Sequence, residues 1–239
     1  MLSLYLHHPN KNQIMKFLKY LFYTLLIVVL FCAGFYKFWF LRQPARHVPH
    51  DSHLFVSPAN GKIVSITTWN KNYLAITKEQ FGLITVWAQD VDTAGYMISI
   101  QMDPTHVHYQ RSPIDAQVIS HKHSSGSFDN ALGSDNPYGI RFENEHNEIL
   151  LQSPDSSRYK IVQIAGFVAR RIVDYVHPSE QIKQGDVIGL IKLGSQVTVI
   201  LPHNVHLNPE MKIGTTVVDG ESVLADVNSR TNKDTFASK

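Results

Sequence analysis

Residues 17–41 are almost wholly apolar or aromatic, and the stretch from Tyr20 to Tyr36 carries no charge. About 20 consecutive apolar residues span a bilayer as a helix. The pattern therefore predicts a transmembrane or membrane-anchoring helix over 17–41, behind a polar tail over 1–16. Aromatic side chains crowd both ends of the run, Tyr20, Phe22 and Tyr23 at one and Phe35, Tyr36, Phe38 and Trp39 at the other, as interface belts do. A cleaved signal peptide is the competing reading. Against it, the run is long and lacks a small-residue cleavage site ahead of its basic flank. Lys11, Lys16 and Lys19 balance Lys37, Arg42 and Arg46, so the flanking charge sets no orientation. Met15-Lys16 offers a second start.

After Pro44 the pattern changes. Short runs rich in Val, Ile and Tyr alternate with Gly, Pro, Asn and Asp, which is the signature of strands and turns. Strands are expected at 62–67, 95–101, 149–152, 159–164, 187–191 and 197–201. Short helices are expected after Ser124 and near Asp90–Gly95. The C-terminal third repeats a pattern, "VHPSEQIKQGDVIGLI" and then "NPEMKIGTTVVDGESVLADV", whose spacing suggests paired hairpins. The fold class expected is mainly β, a barrel- or sandwich-like domain over 42–227 with short helices. One N-terminal hydrophobic helix precedes it, and a polar tail over 228–239 follows.

Composition removes several functions. Lys and Arg number 22 against 20 Asp and Glu, with no basic cluster of the kind nucleic acid requires. The single cysteine, Cys32, excludes a disulfide framework or a Cys-based zinc site within one chain. His106 and His108 fall on one face of a strand, but no third ligand is suitably spaced, and no metal is expected. "HSSGSF" and "ALGSDNPYG" lack phosphate-loop spacing.

Gly194-Ser195 lies between two apolar β runs in "GLIKLGSQVTVILP". Gly tolerates backbone geometry that other residues resist, and a following Ser can attack the preceding carbonyl to give an ester. Elimination and hydrolysis would leave a pyruvoyl cap and ammonia. A Gly-Ser pair alone is usually just a turn. Here it stands at the end of an ordered series: "FLRQPAR", "VSPANGKI", "DPTHVHYQRSPIDAQV", "ENEHNEI", "IAGFVARRI" and "GDVIGLIKLGSQVTVILP". From about Phe40 to Ala225 this series resembles the phosphatidylserine decarboxylase family, in its short bacterial and archaeal branch.

The resemblance implies a pyruvoyl-dependent proenzyme that cuts itself between Gly194 and Ser195 into chains 1–194 and 195–239. The product would be a two-chain heterodimer, with higher oligomers left open. Ser195 would become the pyruvoyl group, form a Schiff base with phosphatidylserine and act as an electron sink. The product would be phosphatidylethanolamine, made at a membrane by a cytoplasmic-facing domain. His108 would handle protons, with His106 a weaker candidate, and Arg111 would bind phosphate or carboxylate or else form an ordinary ion pair. Asn60 departs from the family's Asp, which supports the base that activates the serine. Asp90, Asp92, Asp103 or Asp115 could substitute for it in space. Asp115-Ala116 and His146 are smaller departures. Two alternatives stand beside this reading. One is a non-processing membrane scaffold or binding protein, and the other is a decarboxylase of another serine-headgroup lipid.

Overall fold

In a computed structural model of the chain, the apolar segment forms helix α1, Lys11–Gly34, and continues through a wider π-helical segment, Phe35–Phe40. The structure describes residues 10–70, 88–126, 144–166, 172–192 and 195–227, with Ser195 described by its backbone alone. The chain divides into two units, 1–42 and 43–239. The helix starts at Lys11, inside the expected polar tail. Asn10 explains the early start: its side chain caps the first turn while the Gln13 side chain returns to the Asn10 backbone, a capping box. By length and composition the run Lys11–Phe40 can cross a membrane, with none of its most apolar window buried.

The described part of the second unit holds fourteen strands. They are β1 Leu54–Val56, β2 Gly61–Asn70, β3 Ala94–Met102, β4 Tyr109–Arg111, β5 Ala116–Ser124, β6 His146–Gln152 and β7 Arg158–Ala165. There follow β8 Ile172–Asp174, β9 Gln181–Ile182, β10 Val187–Ile191, β11 Ser195–Pro202, β12 His206–Leu207, β13 Thr216–Val217 and β14 Val223–Asp226. Eight form one curled antiparallel sheet in the order β13-β2-β3-β11-β7-β6-β5-β9. Two three-stranded sheets complete the unit, β1-β14-β12 and β4-β10-β8.

This order is a palindrome. Exchanging β1 with β4, β2 with β5, β3 with β6, β11 with β7, and β12, β13, β14 with β8, β9, β10 reproduces every sheet. Even the register slips correspond, between Ile63 and Ser65 in β2 and between Val118 and Ser120 in β5. The unit therefore has internal pseudo-twofold symmetry. One half is continuous, from β4 to β10. The other wraps around it, with β1–β3 before and β11–β14 after.

Two Ser-Pro loops lock the halves together. The Ser57 hydroxyl donates to the Ala59 carbonyl, and the Ser112 hydroxyl to the Ile114 carbonyl, each at 2.7 Å. The exchange is reciprocal: Val56 N–H donates to the Pro113 carbonyl and Arg111 N–H to the Pro58 carbonyl. Gly220 N–H then donates to the Ser57 carbonyl and Gly185 N–H to the Ser112 carbonyl. Both glycines sit at left-handed φ, +75° and +90°, where a side chain is strained. The repeat read in the C-terminal third is real, but its strands do not form the expected hairpins. β9 and β10 pair with β5 and β4, and β13 and β14 pair with β2 and β1. These ladders with distant strands take the backbone groups that a local hairpin would have used.

The main core lies inside the curl, from Phe55, Ile63, Ile98 and Ile100 to Val197, Val199 and Leu224. A second cluster, with Trp69, Ala88, Met97, Val162, Ile164 and Ile200, packs on the opposite face of the same sheet. Both faces of the central strands are therefore apolar, which explains their unbroken Val/Ile runs. Near Asp90–Gly95, where a short helix is expected, Ala88 is helical and the chain then turns and runs into β3 at Ala94. The helix expected after Ser124 lies largely outside the described residues.

Candidate active site

Three separate segments meet at one end of β3. Gln101 pairs with Lys62 of β2 on one side and with Gln196 of β11 on the other. Its neighbour Met102 stands opposite Ser195, and Ser195 stands opposite Ala165 at the end of β7. Asn60, half-buried, precedes β2 at this same end. The approach is tight because Gly61 permits it: a Cβ there would lie 2.3 Å from the Gln101 carbonyl oxygen. From Met102 the chain turns into His108, whose carbonyl accepts the Ile191 N–H at 3.2 Å. The backbone thus gathers Asn60, His108 and Ser195 at one pole. Gly194 lies outside the described residues. The "ENEHNEI" segment closes the same pole, with the Asn144 amide donating to the Ala165 carbonyl at 2.6 Å and Ala165 N–H to the Glu145 carbonyl at 2.9 Å.

The two histidines of the His-x-His pair are held in opposite tautomers. His108 is fully buried, and its Nδ1 lies 2.9 Å from the His106 carbonyl. A carbonyl only accepts, so Nδ1 carries the proton and Nε2 carries the lone pair of a base. At His106 the roles reverse. Its Nδ1 accepts the Asp103 N–H at 3.0 Å, so in the neutral ring Nε2 carries the proton.

A buried amide seam holds His108 in place. The Gln163 amide donates to Gln110 Oε1 at 2.8 Å, and the Gln110 amide donates to the His108 carbonyl at 2.7 Å. Gly189 leaves room for it, since a Cβ there would lie 2.4 Å from Gln163 Nε2. Neither glutamine was singled out from sequence. The strand expected across His106 and His108 begins only at Tyr109, so the one sequence signal for Gln110 was its place two residues after His108.

Arg111 is drawn into an ion pair. Its Nε donates to Asp219 at 3.0 Å and its Nη1 to the Gly185 carbonyl at 2.8 Å. Arg46 donates to the other oxygen of Asp219, a carboxylate with no solvent exposure. Of the two roles considered for Arg111, these contacts are those of the ion pair. Of the four carboxylates considered as substitutes for an Asp at position 60, three are engaged elsewhere. Asp90 pairs with Lys160, Asp92 with His203, and Asp115 with Lys183 and the Gln184 N–H. Asp103 lies at the right pole, but its carboxylate accepts from the Thr105 hydroxyl and amide. Burial alone would raise the Asp103 pKa. The Thr105 hydrogen bonds and His106 outweigh it, and the pKa is lowered. The described residues hold no cluster of three or more His, Cys, Asp or Glu able to bind a metal.

A curled antiparallel sheet in a pseudo-symmetric β unit of fourteen described strands, with a buried histidine just beyond the end of β3 and β11 beginning opposite that end, defines the class of fold. The family described as "Phosphatidylserine decarboxylase" has a model matching residues 35–225, and the chain belongs to that family. Two archaeal relatives are each named "Putative archaetidylserine decarboxylase proenzyme". The one from Methanothermobacter thermautotrophicus is 34% identical over 201 residues, covering 84% of this chain and 85% of its own. The one from Methanocaldococcus jannaschii is 31% identical over 210 residues, covering 88% and 96%. A "Phosphatidylserine decarboxylase proenzyme" from Paraburkholderia phymatum is 31% identical over 212 residues, covering 84% and 89%.

Proposed function

We propose that this chain is a membrane-anchored proenzyme that cuts itself between Gly194 and Ser195 and then decarboxylates a serine-headgroup phospholipid, phosphatidylserine to phosphatidylethanolamine. The observation that carries this reading is the convergence of Asn60, His108 and Ser195 at the end of β3. The Ser195 hydroxyl adds to the Gly194 carbonyl as His108 Nε2 takes its proton. The amide C–N bond breaks, its nitrogen is protonated, and an ester remains. Loss of the Ser195 α-proton expels the Gly194 carboxylate. The dehydroalanine so formed takes up water and releases ammonia, leaving a pyruvoyl group at the head of β11. Pairing of Ser195 with both Met102 and Ala165 supports the fit, because it anchors that position in the middle of a sheet.

A pyruvoyl carbonyl supplies an electron sink for decarboxylation. His108 Nε2 is the group that holds and returns a proton there. The His106 carbonyl gives the orientation that a carboxylate would otherwise give, so the base is set even with Asn at position 60. The apolar run 11–40 would hold the catalytic unit at the surface where its lipid resides, on the cytoplasmic side.

Intact-mass analysis of protein purified from membranes tests the proposal. Two chains split after Gly194, the smaller blocked at its first residue, are expected, and Ser195→Ala should yield one chain of about 27 kDa, the full-length mass. A wild type that stays whole favours the non-processing scaffold, which Asn60 motivates. The names of the two archaeal relatives motivate the ether-lipid headgroup as a second substrate, and parallel assays on diacyl and ether serine lipids separate the two.

A further inference from the structure

A second set of polar groups at the reacting pole takes no part in the steps above. A cleft of about 280 Å³ opens on the outer side of the β2–β3 ladder, lined by Lys62, Gln101, Asp103, His106 and Thr216. Most of its lining groups donate. Lys62 is exposed, and among the described residues no carboxylate lies within ion-pair distance of it. The His106 ring, with Nδ1 occupied by the Asp103 N–H, has Nε2–H as its free-standing donor. The Thr216 hydroxyl and Gln101 amide add two more. The one carboxylate, Asp103, is half-exposed and already accepts from Thr105. A lysine and neutral donors gathered around a cleft match a phosphate oxyanion.

The position matches as well. Lys62 and Gln196 flank Gln101 on opposite sides and share its face of the sheet, so Lys62 stands two strand spacings from β11, roughly 10 Å, at the sheet end where Met102, the partner of Ser195, turns to the core on the other face. A lysine side chain and the serine arm of a headgroup together span that distance when the headgroup passes around the end of the sheet. We infer that this cleft is the anion subsite for the phosphodiester of the lipid headgroup, with Lys62 and His106 Nε2–H as its principal ligands. The two histidines of one His-x-His pair then divide the work: His108 moves protons and His106 grips substrate. This assignment rests on the decarboxylase reading, and its tests are chosen to fail separately from it.

Lys62→Met and His106→Asn are the variants. Asn keeps an acceptor for the Asp103 N–H and removes the donor into the cleft. Lys62→Met should process to two chains like wild type, and His106→Asn should weaken phosphate binding to the uncleaved Ser195→Ala chain. On short-chain phosphatidylserine in mixed micelles, Lys62→Met should raise KM by about ten- to a hundredfold, the loss of one charged hydrogen bond, and leave kcat nearly unchanged. Lys62→Arg should recover most of the loss. A binding readout that needs no turnover uses the uncleaved Ser195→Ala chain, where inorganic phosphate should shift the His106 Nε2 resonance and Lys62→Met should abolish the shift. An unchanged KM in a folded Lys62→Met protein overturns the assignment. A phosphate shift with no KM effect overturns it too, leaving a free-phosphate site. If wild type decarboxylates no serine lipid yet phosphate still shifts His106 in a Lys62-dependent way, the cleft stands as an anion site and the decarboxylase reading falls.

Discussion

The loops Ser57–Asn60 and Ser112–Asp115 occupy equivalent places in the two pseudo-symmetric halves and exchange the same backbone hydrogen bonds, yet they end differently. The second ends in Asp115, whose carboxylate accepts the Gln184 N–H at 2.8 Å and pairs with Lys183 at 3.1 Å. The first ends in Asn60, at the pole that holds Ser195. The same divergence appears one step away. Asp219 and Gln184 are equivalent positions around the two left-handed glycines. Asp219 holds Arg46 and Arg111 by charge. Gln184 is neutral and donates its amide to the Leu54 and Pro113 carbonyls. Both secure the segment entering the β unit, through Arg46 in one case and through Asp51 in the other. A duplicated frame conserves its backbone exchange and lets its side chains diverge, so the carboxylate that staples one loop need not be present in the loop that borders the chemistry.

The largest effect expected from disturbing this comparison is at Asn60. Asn60→Asp restores to the first loop the residue type found in the second. It should speed self-cleavage by roughly a hundred- to ten-thousandfold, the scale on which a charged partner assists a histidine base. A time course of two-chain formation after synthesis measures it, and equal rates would show that the His106 carbonyl alone suffices. Next comes the charged staple. Asp219→Asn leaves two arginines facing a neutral amide in a buried site and should cost about 3–5 kcal/mol. Gln184→Ala should cost less, about 1–3 kcal/mol, for carbonyls left without a donor. Thermal melts of the full chain in detergent rank the two, and the reverse ranking would refute the contrast.

The smallest effect is at Asp115. Burial raises its pKa, but the Gln184 N–H and Lys183 outweigh that and the net shift is downward. A carboxylate with a lowered folded pKa stabilises above its unfolded value, about 3.9, and loses that contribution as pH falls through the folded value. The Asp115 side chain is 37% exposed, so screening holds the effect below about 1 kcal/mol. Asp115→Asn should therefore melt slightly earlier than wild type at pH 7, with the gap closing below pH 4. A gap that persists at pH 3 would rule out the ionic origin.

The local elements were legible from the chain. All six expected strands lie within observed ones, because short apolar runs rich in β-branched residues and bounded by turn residues record burial directly. Pairing was not legible. The repeated Gly pattern pointed to hairpins, yet its partners are the loops "VSPAN" and "RSPID", far upstream. Those two words are themselves a repeat, and read together they held the missing signal. At the site, the segments of Asn60, His108 and Ser195 were legible through motif order. The tautomers were not, because they depend on where the His106 carbonyl and the Asp103 N–H point. Arg111 read equally as ligand or ion pair, since its partner Asp219 lies more than a hundred residues away.

The wrapped half of the β unit has a mechanical consequence. β11 lies between β3 and β7, β13 lies against β2, and β14 lies against β1. A chain severed after Gly194 would have its shorter piece woven through the longer one, like a bootlace cut at a single eyelet. That piece could not diffuse away without unravelling the sheet that holds it. Separation of the fragments and global denaturation would then be one event, and the nicked molecule would persist as a single body.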